Sequence, residues 1–132
     1  MLVLDASAAV EIVLQRPKSF ALQQAVSDSA NVVAPDLFVS EITNVFWKNH
    51  RAGIALRDCE LACSRAIQIP DLYLAAPEYS KEALRFAAKH RISAYDAFYA
   101  VITMINHAQL ATLDLRLAAV CIANDIMVLD LA

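Results

Sequence analysis

Residues 1–15 read MLVLDASAAVEIVLQ. Leu2, Val3 and Leu4 form an apolar run too short for a helix, and Asp5 ends it. Small helix-favouring residues follow at once. Such a run, bounded by a helical pattern, reads as a buried strand feeding a helix. The theme recurs in NVVAP at 31–35, DLYLAA at 71–76, QLATLD at 109–114 and IMVLDL at 126–131. Between these runs the spacing predicts helices over 6–14, 18–28, 37–51 (capped by Asp36 and ended by Gly53), 55–68, 77–90, 94–106 (capped by Ser93) and 115–125. Proline in the first turn suits the helix that starts at Pro77. Short apolar strands alternating with helices predict right-handed parallel βαβ units, with helices on both faces of the sheet. The expected fold is therefore a three-layer α/β/α domain of four to five short parallel strands, spanning residues 1–132.

Composition narrows the function. Hydrophobic residues make up 59% of the chain, above the ~45–50% usual for soluble domains. That excess predicts a large core and apolar surface that another chain covers. The longest uncharged apolar run, Ala97–Ile105, falls well short of the ~20 residues needed to cross a bilayer. The N-terminus has no basic lead into an apolar segment, so no secretory signal is expected. Three cysteines, Cys59, Cys63 and Cys121, form no regular framework and predict reduced thiols in a cytoplasm. Gly53 is the only glycine, which excludes phosphate-cradling and dinucleotide-binding glycine motifs. The formal net charge of −3 disfavours nonspecific nucleic-acid binding through a basic face. A bound cation can still supply positive charge at a site.

Four carboxylates sit in apolar surroundings: Asp5 and Asp114 at expected strand ends, Glu41 and Asp96 in the first turns of expected helices. Strand ends and helix starts share one edge of such a sheet, where ligands bind. Converging carboxylates repel and need a compensating cation or a proton. An all-oxygen set without histidine or cysteine suits Mg²⁺ or Mn²⁺ rather than zinc. Taken singly, Asp5 and Asp114 also fit helix caps, Asp96 a helix-dipole partner and Glu41 a surface ion pair. Taken together, four such acids on one edge point to a site. Ser7 and Thr112 each lie two positions from an acid and can support it or serve a turn. Asn44, one turn beyond Glu41, is placed to orient it. Arg116 can meet a phosphate or stand solvated. His50, His90 and His107 fall near helix C-termini and are given no catalytic role.

The stretches VLDASAAV, SEITNVFWK, SAYDAFYAV and LATLDLRL, in that order, resemble the PIN domain, and most closely the VapC-type ribonuclease toxins of toxin–antitoxin pairs. The resemblance implies an acidic pocket binding Mg²⁺ or Mn²⁺ through Asp5, Glu41, Asp96 and Asp114, with Ser7 and Thr112 in support. It implies metal-dependent cleavage of RNA, a homodimer and a small antitoxin partner. Two other readings remain. One is a PIN-like module that binds RNA or protein without cutting it. The other is a phosphatase or phosphotransfer domain with Asp5 as nucleophile. Against that last reading, Ser7 stands where one such family carries a second aspartate, and the late strand-end lysine of another is missing.

Overall fold

The computed structural model describes residues 1–131. Strands β1 (Leu2–Leu4), β2 (Val32–Pro35), β3 (Leu72–Leu74) and β4 (Gln109–Ala111) form one parallel sheet in the order β3-β2-β1-β4. Helices α1 (Ala6–Val13) and α2 (Ser19–Asp28) link β1 to β2, and α3 (Leu37–Arg51) and α4 (Leu56–Ile67) link β2 to β3. A 3₁₀ turn, Ala76–Tyr79, precedes α5 (Ser80–His90) and α6 (Ala94–Ile105), which return the chain to β4; α7 (Leu115–Ala123) follows.

Side-chain alternation explains the three layers. Leu2, Leu4, Val32 and Ala34 face one way, onto Phe38, Ile42 and Phe46 of α3 and Cys59 and Ala66 of α4. Val3, Val33 and Leu110 face the other way, onto Ala83 and Phe86 of α5, Tyr99 and Ile102 of α6 and Leu117 of α7. Both faces of β1 and β2 are buried, so those strands read as unbroken apolar runs, while the edge strand β3 is partly exposed. Order and direction together create a switch point. The chain steps outward from β1 to β2 to β3, then crosses back to lay β4 on the other side of β1. A crevice opens beyond the carboxyl ends of the strands where the winding reverses.

Four details differ from the sequence expectation. The strand expected over 109–114 stops at Ala111, because the Thr112 side chain turns inward and the backbone begins to cap α7. Asp114 is thus a cap three residues beyond the strand, not its last residue. IMVLDL contributes a single parallel bridge, Leu110 to Val128, rather than a strand; Leu129 then donates to Leu110, and Leu131 takes a 2.9 Å bond from Lys18 Nζ. Asp36 makes no side-chain cap to α3; its Oδ1 accepts from the Ala76 amide at 3.3 Å. The segment begun by Pro77 is 3₁₀ before it becomes α-helical at Ser80.

Scarcity of glycine leaves a mark on the helix ends. Gln15, Arg91, His107 and Asp125 all hold positive φ, between 50° and 58°, just beyond α1, α5, α6 and α7. Left-handed backbone costs a residue with a Cβ ~1–2 kcal/mol, and glycine is the usual occupant. Gln15→Gly is expected to raise stability by about 0.5–1 kcal/mol, the strain relieved less the entropy that glycine adds to the unfolded chain. Gly53, at φ +115° with nothing within 4 Å of a built Cβ, is expected to lose at least ~1 kcal/mol on replacement by alanine, through backbone strain alone. Urea midpoints of the two variants check both signs.

Candidate active site

The β1–β4 register aligns Leu4 with Ala111. The next residues, Asp5 and Thr112, therefore stand side by side, and the Asp5 amide donates to the Ala111 carbonyl at 3.1 Å. Asp5 is only 5% exposed. Its Oδ1 accepts from Ser7 Oγ at 2.6 Å and from the Ala8 amide at 2.9 Å, while its Oδ2 accepts from the Thr112 hydroxyl. Ser7 Oγ also accepts from the Leu113 amide at 3.0 Å, and Thr112 Oγ1 accepts from the Asp114 amide at 3.0 Å. The two hydroxyls thus tie the end of β1 to the turn after β4.

The remaining carboxylates close around this point. Glu41, half-buried on α3, accepts a 2.6 Å bond at Oε1 from the Tyr99 hydroxyl on α6. Asp114 caps α7, its Oδ1 accepting from the amides of Arg116 and Leu117 at 3.0 and 3.1 Å. Asp96 lies in the first turn of α6, below the Ser93 cap, and its carboxylate accepts no hydrogen bond among the described residues. The four therefore share a pattern. Protein donors hold one oxygen of Glu41 and of Asp114, and they take three of the roughly four lone-pair positions of Asp5. The remaining acceptor capacity is left to whatever enters.

The electrostatics follow. Burial lifts the Asp5 pKa from 3.8 to about 6, against the pull of its bonds to Ser7, Thr112 and Ala8, and Asp114 pushes it further upward. Burial also raises Glu41, offset by Tyr99 and reinforced by Asp5 and Asp96. Asp96 is raised by burial and by Asp114, against Ser93 and Arg116. Glu41 is thus pushed by two acids, Asp5 and Asp96, and Asp114 pushes both of those, which links all four. The Tyr99 hydroxyl is pushed far up by burial and then by Glu41, which keeps it a donor.

Asp5 and Asp114 are caps as well as members of this group, so the two readings of each coexist. Ser7 and Thr112 are where support was expected. Asn44 is not: it is exposed and makes no bond to Glu41 among the described residues. Tyr99 orients Glu41 instead. The sequence held a signal for it, since a tyrosine in so apolar a helix needs a partner for its hydroxyl, and Tyr99 sits one turn along from Asp96. Arg116 is exposed but anchored, its Nη2 donating to the Arg91 carbonyl at 2.9 Å, and its charge bears on Asp96.

The donor set is all oxygen and hard, which fits a Mg²⁺-like ion that keeps waters and takes few carboxylates directly. Among the described residues no three His, Cys, Asp or Glu side chains close into a ready-made cage. Asp5, Glu41 and Asp96 are each raised by a neighbouring acid without the group forming a complete ligand shell. No helix among the described residues is long and apolar enough to cross a membrane.

Fold and site together define a parallel α/β/α protein with an acidic pocket at its switch point. The PIN domain family model matches residues 2–123. The chain is 32% identical to Ribonuclease VapC3 of Pyrobaculum aerophilum over 122 residues, which covers 89% of this chain and 92% of that protein. The chain belongs to the PIN-domain family and is of the VapC type. The crystal structure of PAE2754 from Pyrobaculum aerophilum superposes with a TM-score of 0.69 at 25% identity, covering 90% of this chain and 84% of that one. The crystal structure of FitAcB from Neisseria gonorrhoeae shares the fold, with a TM-score of 0.62 at 17% identity and coverage of 99% and 98%.

The raised Asp5 pKa makes a stability prediction. Below the unfolded value, near 3.8, the group is protonated in both states and contributes nothing. Between there and about 6 the folded chain binds the extra proton, so stability falls as pH rises. Above about 6 the full cost applies, roughly 3 kcal/mol from about two units at 1.36 each. Asp5→Asn keeps an oxygen for the Ala8 amide without the charge. In chelator-treated protein it is expected to melt above the wild type at pH 8 and to match it near pH 4, as calorimetry would show.

Proposed function

We propose that this protein is a divalent-metal-dependent endoribonuclease, with Asp5, Glu41, Asp96 and Asp114 holding Mg²⁺ or Mn²⁺, and that it is the toxin of a type II toxin–antitoxin pair. One observation carries the reading. Folding crowds four mutually repelling carboxylates from four parts of the chain around the β1–β4 crossing, and it leaves acceptor positions on them unsatisfied. A cation resolves that repulsion. The name of the relative, Ribonuclease VapC3, supports RNA as the substrate.

When bound, the cation supplies Lewis acidity to the attacking water and the scissile phosphate. The chain's own residues prepare for it. Ser7, the Ala8 amide and Thr112 fix both Asp5 oxygens, so the carboxylate cannot rotate away. Tyr99 holds Glu41 from the opposite helical layer, and the α7 amides hold Asp114. Asp96, without such ties, is the acid free to follow a ligand. Arg116 brings positive charge beside Asp96, where a phosphate would arrive. Water then displaces the leaving oxygen in line, and no side chain forms a covalent bond. Asp5 is poorly suited to be a nucleophile, since it is buried with both oxygens accepting hydrogen bonds.

We also assign the protein a homodimeric state, an antitoxin partner and a cytoplasmic location. Exposed apolar side chains support the first two: Trp47, Leu56 and Leu61 on α3 and α4, Leu84 on α5, and Leu115 and Ile122 on α7. Such side chains are surface for partners to cover. A short neighbouring reading frame encoding a DNA-binding protein would support the toxin assignment.

Asp96→Asn is expected to cut RNA cleavage by more than ~100-fold, beyond the ~10–100-fold usual for losing an outer-shell partner. Tyr99→Phe and Thr112→Val are expected to fall within that ~10–100-fold range and to need more metal for half activity. Independently of cleavage, Mn²⁺ at ~100 times its Kd is expected to stabilise the wild type by about 2.7 kcal/mol. Asp5→Asn is expected to lose that shift. Full cleavage by Asp96→Asn, or no thermal response of the wild type to Mn²⁺ and Mg²⁺, would sink the assignment.

A further inference from the structure

The chain has 11 Lys and Arg against 14 Asp and Glu, and the pocket itself is negative. An approaching polyanion therefore needs a local path of positive charge. A groove of about 320 Å³ lies between α5, α6 and the end of α7, its α5 wall carrying Glu82 at one end and Arg85, Lys89 and His90 beyond it, its floor Val101 and Met104. Arg85 and Lys89 are one turn apart on α5 and exposed. Among the described residues neither is held in an ion pair. At its C-terminal end α5 passes into Arg91, whose carbonyl is gripped by Arg116, and Arg116 acts on Asp96. Arg85 and Lys89 on α5, Arg91 just beyond it and Arg116 on α7 thus form a series of cations whose last member bears on Asp96. The groove also holds a ring pair, Phe86 and His90, with centroids 4.4 Å apart, and His90 is partly exposed. Cations flanking an accessible ring are the combination that single-stranded nucleic acid uses: phosphates meet the charges and a base stacks on the ring.

We propose that the α5–α6 groove is the track along which single-stranded RNA enters the pocket, its phosphates on Arg85, Lys89 and Arg91 and an unstacked base on His90. The assignment deepens the nuclease reading and rests on it for the direction of entry. Arg116 anchors the track at the pocket by holding the end of α5. The acidic pocket cuts, and the track retains the strand.

The test uses the full chain and a fluorescently labelled single-stranded RNA oligonucleotide. Affinity is measured by anisotropy across a salt series in an Asp96→Asn background, and KM and kcat are measured in the otherwise wild-type chain. Arg85→Glu with Lys89→Glu is expected to weaken binding at least tenfold. It should reduce the slope of log K against log salt by about 1.4, for two phosphates at ~0.7 each, and raise KM by a larger factor than kcat falls. His90→Ala is expected to weaken binding several-fold without changing the slope, because stacking releases no counterions. Arg57→Glu with Arg65→Glu, on α4 in the opposite layer, controls for net charge and should change binding less than twofold. If the α5 pair changes binding and KM no more than the α4 pair, the track is wrong, while cleavage by the wild type keeps the nuclease reading. If the Asp96→Asn chain binds with the expected slope but the wild type does not cut, the track stands and the nuclease reading falls. If no RNA binds, both fall.

Discussion

The hydroxyl of Thr112 and the carboxylate of Asp5 are 107 positions apart in the chain, yet the site depends on their contact. β1 and β4 are neighbours with Leu4 opposite Ala111. One residue further on, the two chains diverge, and the crevice between them would expose raw backbone ends. Ser7 and Thr112 close it, each hydroxyl bonding to Asp5 and to an amide of the turn before α7. The same bonds that seal the sheet edge therefore aim Asp5 and position Asp114. Stability and site geometry are one arrangement here. That arrangement also explains why a buried charge persists. Its hydrogen bonds offset part of the desolvation cost, and a nearby cation would offset more of it.

The two helical layers meet over this edge through a second contact, Tyr99 to Glu41. α3 packs on one face of the sheet and α6 on the other, and the contact bridges them without passing through the sheet. It explains how an acid on each layer can belong to one pocket. The buried thiol of Cys121 lies behind the same pocket, its pKa raised to about 11 by burial and by Asp96. It remains an uncharged, space-filling group there.

Much of this was legible in the residues. Strands such as Leu2–Leu4 and Val32–Pro35 are apolar on every side, and only burial between two layers explains that pattern. Asp5 and Asp96 stood out because their neighbours were apolar. Less legible was anything decided by contacts between distant segments. IMVLDL has the composition of a strand, but only Val128 reaches the sheet, since the chain then bends toward Lys18. Asn44 had the right spacing to serve Glu41, but it faces solvent, whereas the buried Tyr99 needs a partner for its hydroxyl and finds it in Glu41. QLATLD looked like one strand because local pattern cannot show a threonine hydroxyl being recruited across the sheet.

The order of the strands has a consequence for when the pocket exists. β4 emerges from the ribosome last of the four, and only its pairing with β1 brings Thr112 and Asp114 to Asp5. Nascent chains that have not yet extruded it lack Asp114 and the Thr112 bond to Asp5. Premature stop products of that length are equally incomplete. Assembly of the acidic site is thus tied by topology to the last of the four strands to be made.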